Sequence, residues 1–162
     1  MRKTPALLMK ELKFFREETK RLYKEDEERS FAPVDERLEH KYDTGYVYER
    51  NHEEIRRIHA EELRIRSALA KFNATTRVDG LDMTIAEALV RISQLKEEIK
   101  ALMPLASKPL IYKGDSYRGD EATYKINYNQ EVVRHELGEY QRELAKIQMA
   151  VDTINLNALV DY

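Results

Sequence analysis

Apolar side chains recur at alternating spacings of three and four residues in four separate stretches of the chain. This heptad spacing places them on one narrow stripe of a helix, the pattern of coiled coils and up-and-down bundles. The pattern predicts four long helices, at about residues 5–29, 46–72, 85–103 and 130–156. The stripes carry Leu8, Leu12, Phe15, Thr19 and Leu22; Asn51, Ile55, Ile58, Glu62, Ile65, Leu69 and Phe72; Ile85, Ala88, Ile92, Leu95, Ile99 and Leu102; and Val133, Leu137, Tyr140, Leu144, Ile147, Val151 and Ile154. Two polar residues, Asn51 and Glu62, interrupt the second stripe.

Residue types at the ends of these stretches support the helix boundaries. Thr4 followed by Pro5 is a typical N-cap with proline in the first helical position. Thr84 and Glu87 have the spacing of a capping box, in which each residue bonds to the backbone amide of the other. Pro104 lacks an amide hydrogen and is expected to end the third helix.

The segments between the helices predict a small amount of β structure. Strands are expected at about residues 110–112, 122–128 and 157–161, forming a small β patch at one end of the helices. Residues 1–162 are therefore interpreted as a single, mainly α domain with four long helices. These helices form either an antiparallel coiled coil in an elongated hairpin or a compact up-and-down bundle.

Composition adds constraints on chemistry and location. The 28 basic and 30 acidic residues make up 36% of the chain and nearly cancel, to a net charge of −2. The absence of cysteine excludes thiol nucleophiles and cysteine-ligated metals. The sequence contains no signal peptide and no apolar run of membrane-spanning length, which predicts a cytoplasmic protein that does not bind membranes. The narrow stripes leave a thin core, so we expect a homo-oligomer.

No motif in the sequence indicates catalysis. His52 and His59 lie seven residues apart, a spacing that separates two metal ligands on a helix by about 10 Å. Neither a glycine-rich phosphate loop nor a nucleophile paired with a base is present. The sequence therefore predicts a non-enzyme without catalytic, cofactor-binding or metal-binding residues.

Four tyrosines lie close together in the second half of the chain: Tyr112, Tyr117, Tyr124 and Tyr128. Tyrosine is enriched at protein interfaces, so these four residues are the candidate interaction surface. The function predicted from this is a non-enzymatic helical scaffold or adaptor that self-associates and binds protein partners. The alternative is a nucleic-acid-associated coiled coil, in which the aromatic segment acts with arginines of the second helix. Those arginines are Arg56, Arg57, Arg64 and Arg66.

Several segments between residues 64 and 162 are similar to a group of uncharacterised bacterial coiled-coil proteins related to the septicolysin-like family. The similar segments are residues 72–76, 83–89, 94–95, 124–129 and 150–155. The resemblance implies a bacterial helical-bundle protein and supplies no catalytic residues. The septicolysin label implies a third function, membrane activity. That activity needs a secretion signal or a strongly apolar segment, which this sequence lacks.

Overall fold

The computed structural model describes residues 1–31, 45–115 and 119–162. Four helices account for most of these residues: α1 (Pro5–Arg29), α2 (Tyr48–Thr75), α3 (Ile85–Ser107) and α4 (Gln130–Asn157). The same described residues also contain four short strands: β1 (Arg2–Lys3), β2 (Ile111–Asp115), β3 (Glu121–Lys125) and β4 (Val160–Asp161). The prediction of a mainly helical protein with a small amount of antiparallel β structure is confirmed.

The described residues form two compact units, and the prediction of a single domain stays a prediction. The first unit comprises residues 1–75 and 154–162, in which α1 and α2 pack antiparallel. Leu8, near the start of α1, packs with Ile65 and Val160, whereas Leu22, near its end, packs with residues from the first half of α2. Phe15 contacts both clusters, so the heptad stripes of the two helices form the core of this unit.

The two ends of the chain meet in this first unit. β1 pairs antiparallel with β4, with Arg2 opposite Asp161 and Lys3 opposite Val160. The side chains of Arg2 and Asp161 also form an ion pair at 2.7 Å. The last predicted strand is confirmed, although it is shorter than expected. Its partner β1 was not predicted, because two residues are too few to show an alternating pattern.

The second unit comprises residues 76–153 and contains an antiparallel pair of helices, α3 and α4. Arg91, early in α3, forms an ion pair at 2.7 Å with Glu143, in the second half of α4. The predicted capping box is present at the start of α3. The Thr84 amide donates to Glu87 Oε2 at 2.6 Å, and the Glu87 amide donates to Thr84 Oγ1 at 3.3 Å.

The prediction that α3 ends at about residue 103 is wrong. The helix continues through Pro104 to Ser107. Proline removes one backbone hydrogen bond from a helix, yet a last turn can persist when its carbonyl groups find other donors. In this structure the donors are side chains at and just before the start of α4: Tyr128, Gln130 and Arg134.

Candidate interaction surface at the tyrosine hairpin

Strands β2 and β3 form an isolated antiparallel hairpin in the second unit. Tyr112 lies opposite Tyr124, and Gly114 lies opposite Ala122. Because side chains alternate between the two faces of a strand, these four residues share one face of the hairpin. Both strands were predicted, but β2 extends further than expected, to Asp115, and β3 stops earlier than expected, at Lys125.

The two tyrosine rings on this face are stacked. Their centroids lie 4.9 Å apart with an angle of 15° between the planes. A Cβ atom added to Gly114 would lie 3.2 Å from Tyr112 Cε2, so the rings cover the glycine closely. The Tyr124 hydroxyl donates to the Asp115 carbonyl oxygen at 2.8 Å, which fixes one of the rings to the hairpin backbone.

The hairpin exposes large apolar side chains. Ile111 is 60% exposed, and Tyr112 and Tyr124 are 47% and 36% exposed. Leu110, directly before β2, is also exposed. Clustered aromatic and aliphatic groups of this kind are typical of surfaces that bind another protein.

Polar side chains at the start of α4 hold the base of the hairpin against the end of α3. Gln130 Nε2 donates to the carbonyl oxygens of Leu105 and Lys108, at 3.2 and 2.6 Å. Tyr128 Oη also donates to the Leu105 carbonyl at 2.7 Å, and Arg134 Nε donates to the Ala106 carbonyl at 3.0 Å. These donors satisfy carbonyl groups in the last turn of α3 that have no partner within the helix.

The structure thus assigns different positions to the four tyrosines of the predicted surface. Tyr112 and Tyr124 lie together on the exposed hairpin, whereas Tyr128 is half-buried and caps α3. Tyr117 lies outside the described residues. Sequence analysis missed Gln130, which is only 7% exposed. One signal for it existed: Lys108 and Pro109 follow α3 where glycine usually caps a helix end, so its carbonyl groups needed donors from elsewhere.

Most of the arginines of the nucleic-acid alternative are paired with glutamates of the same helix. Three of the four form ion pairs at 2.5–2.7 Å with residues three or four positions earlier. These pairs are Arg57–Glu54, Arg64–Glu61 and Arg66–Glu62. Phosphate binding would need basic side chains in excess over the neighbouring acidic ones. This face of α2 instead carries arginines together with glutamates.

A second polar cluster lies in the first unit, where α1 ends and α2 begins. Asp26 Oδ1 accepts hydrogen bonds from Tyr46 Oη at 2.9 Å and from Asn51 Nδ2 at 3.3 Å. His52 Nε2 lies 2.9 Å from Asp26 Oδ2. Desolvation acts to raise the pKa of Asp26, but the hydrogen bonds and the nearby histidine outweigh it, so that this pKa is lowered. Desolvation and the bond to Asp26 raise the pKa of Tyr46 to about 12.

This cluster explains why a polar residue interrupts the stripe of α2. Asn51 is buried, and its side-chain amide reaches across to α1. A polar residue in a coiled-coil seam fixes which helix segments pair. The cluster borders an open groove of about 520 Å³, which is lined mainly by arginines and glutamates on α1 and α2. The contacts of Asp26 with Asn51 and His52 therefore position the end of α1 against the start of α2.

The described residues, 1–31, 45–115 and 119–162, contain neither a metal-binding cluster nor a membrane-spanning helix. No three histidine, aspartate or glutamate side chains in these ranges converge as a metal ion requires. In the same ranges, no helix has an apolar segment long enough to cross a bilayer. Comparison of the chain with protein-family models, curated proteins and solved structures found no match. The resemblance to the septicolysin-like group stays a prediction.

Proposed function

We propose that this protein is a non-enzymatic, cytoplasmic scaffold or adaptor that self-associates and binds protein partners through the tyrosine hairpin. The observation that carries the proposal is the stacked and exposed pair Tyr112 and Tyr124, with the exposed Leu110 directly before β2. Burying such a patch against another protein removes apolar surface from water, which favours association. Tyrosine also contributes a hydroxyl group that can bond to a partner.

The way the hairpin is held also supports this role. An isolated two-stranded hairpin is marginally stable in water. Here Tyr128 and Gln130 fix its base to α3, and the Tyr124 hydroxyl fixes its aromatic face to the backbone at Asp115. A surface ordered before binding loses less conformational entropy when a partner arrives. The same hairpin has less to offer a nucleic acid, because Lys113 is paired with Glu121 at 3.4 Å.

Sedimentation equilibrium at micromolar concentration tests the self-association. We expect the wild-type chain to have a mass above the 19.2 kDa of one copy. Replacing both hairpin tyrosines, Tyr112→Ser with Tyr124→Ser, is expected to shift the mass toward one copy. The matched control is Tyr23→Ser, at an exposed tyrosine on α1, which should leave the mass unchanged. A wild-type chain that sediments as a single copy at every concentration would contradict the proposal.

A further inference from the structure

The hydrogen-bond pattern of the hairpin shows which backbone groups are directed away from it. The Ile126 amide donates to the Leu110 carbonyl at 3.1 Å. Hydrogen-bonded and non-hydrogen-bonded pairs alternate along an antiparallel ladder, so Tyr124 and Ala122 are also in hydrogen-bonded pairs with β2. The residues between them direct their amide and carbonyl groups to the outer edge of β3. These residues are Glu121, Thr123 and Lys125, all of them exposed.

This outer edge is open in the part of the chain that the structure describes. β3 pairs only with β2 in those residues, and the sheet has two strands. An open edge presents a row of unpaired amide and carbonyl groups, which can pair with a strand of another chain. The side chains along the edge then decide which strand fits.

The charges along β3 are arranged so that the strand complements itself. Glu121 lies at one end, Lys125 at the other, and the uncharged Thr123 lies midway between them. We propose that two copies of this chain associate by pairing their β3 strands antiparallel, around a twofold axis at Thr123, into a four-stranded sheet. This inference rests on the self-association proposed above and identifies the surface responsible for it.

The proposed register brings favourable side chains together. Glu121 lies opposite Lys125 of the second copy, and the twofold axis repeats this pair, which gives two ion pairs per dimer. Thr123 lies opposite Thr123 of the second copy, and threonine pairs are favourable across strands. On the other face, Tyr124 lies opposite the small Ala122 of the second copy. The stacked tyrosines of both copies therefore line one continuous face of the sheet.

The outer edge of β2 does not complement itself in this way. Its central residue is Lys113, and antiparallel pairing of two β2 strands would place two lysines directly opposite each other. Like charges in that position are destabilising, and lysine in the middle of an edge strand is a common protection against pairing. The same pairing would also place Ile111 opposite Asp115 of the second copy. The geometry therefore favours β3 as the strand that pairs.

Charge-reversal variants test this pairing directly. Glu121→Lys alone places lysine opposite lysine twice in each dimer, and Lys125→Glu alone places glutamate opposite glutamate twice. We expect each single variant to dimerise about tenfold more weakly than the wild type, because two favourable pairs become two repulsive ones. Circular dichroism at the same concentration verifies that both variants keep the wild-type helix content.

A mixture of the two single variants is the decisive sample. When Glu121→Lys pairs with Lys125→Glu, both cross-strand pairs are again oppositely charged. The mixture should therefore form dimers with wild-type affinity, each containing one chain of each variant. Association through any other surface predicts no such recovery, so a mixture as weak as its components would overturn the proposal.

Cysteine substitution tests the register, because the chain has no cysteine of its own. Cα atoms of directly opposed residues in a hydrogen-bonded pair lie about 5.5 Å apart, within the range that a disulfide bridges. Oxidation of Thr123→Cys should give a covalent dimer, whereas Lys113→Cys, on the β2 edge, should form little covalent dimer although it still associates through β3. Cross-linking through Lys113→Cys alone would overturn the assignment to β3.

The two proposals fail in different ways. If the wild type self-associates but neither the charge variants nor Thr123→Cys respond as described, the β3 pairing is wrong and the scaffold proposal stands. If the wild type sediments as one copy throughout, self-association itself is wrong, and the β3 pairing is overturned with it.

Discussion

The cap at the base of the hairpin gives the most specific stability prediction. Gln130 is almost fully buried, and its side-chain amide donates to the carbonyl oxygens of Leu105 and Lys108. Gln130→Glu keeps the size of the side chain but replaces the donating nitrogen with an oxygen. A carboxylate would then face two carbonyl oxygens at positions where hydrogen bonds of 3.2 and 2.6 Å now exist.

The cost follows from the groups left without partners. A buried polar group that loses its hydrogen bond costs about 1–3 kcal/mol. Arg134 Nη2, which donates to Gln130 Oε1 at 2.8 Å, would offset part of this by pairing with the new charge. A partly exposed ion pair returns about 0–1 kcal/mol, so the expected net loss is about 2 kcal/mol. For a chain of this length that loss lowers the melting temperature by roughly 4–8 °C.

Urea unfolding followed by circular dichroism measures this loss. The matched control is Gln141→Glu, the same chemical change at an exposed position of the same helix. Its unfolding free energy should lie within about 0.5 kcal/mol of the wild type. Equal unfolding free energies for the two variants would refute the assignment of Gln130 as the cap of α3.

Three further predictions concern other parts of the fold. Leu8 is fully buried, so Leu8→Ala should lower the unfolding free energy by about 2–5 kcal/mol, whereas Leu7→Ala, at an exposed neighbour, should change it little. Gly138→Ala should raise the unfolding free energy by about 0.5–1 kcal/mol, since the nearest side-chain atom to the added Cβ, Arg142 Nη1, lies at an ordinary contact distance of 3.7 Å. Urea unfolding measures the unfolding free energy of the Leu8, Leu7 and Gly138 variants. Hydrogen bonds from Thr84 lower the pKa of Glu87. The stabilisation of the fold by the Glu87 carboxylate is therefore present above the ordinary pKa of 4.5 and is lost as the pH falls below it. Glu87→Gln should flatten the decrease of melting temperature between about pH 5 and pH 3.

Much of the fold could be predicted because its strongest signals are local. Heptad stripes and the residues that begin helices act over a few positions, and α1 begins at Pro5 as Thr4 predicts. The alternation of residues from Ala122 onward likewise predicted β3. The pairing of β1 with β4 depends instead on two strands of two residues each at opposite ends of the chain. No short window of sequence contains that information.

The candidate surface shows the same difference between features that local sequence predicts and features that depend on distant contacts. The clustering of tyrosines in the sequence pointed to this segment, but the placement of Tyr112 and Tyr124 on one face follows from the register of β2 against β3, which the sequence does not contain. The different role of Tyr128, and the existence of a cap at Gln130, depend on where α4 meets the end of α3. A glutamine at the start of a helix normally contacts water. Its burial here is a tertiary effect, so sequence analysis missed it.

The end of α3 links the helical part of the second unit to the interaction surface. Pro104 weakens the last turn of that helix, and the turn persists with Gln130 and Tyr128 bonded to its carbonyl groups. The same contacts fix the two points where the chain enters and leaves the hairpin. Since an isolated hairpin is marginally stable, the order of β2 and β3 depends on this cap. A substitution at the buried residue Gln130 would therefore disturb the exposed tyrosine pair of the hairpin, although Gln130 does not contact that pair.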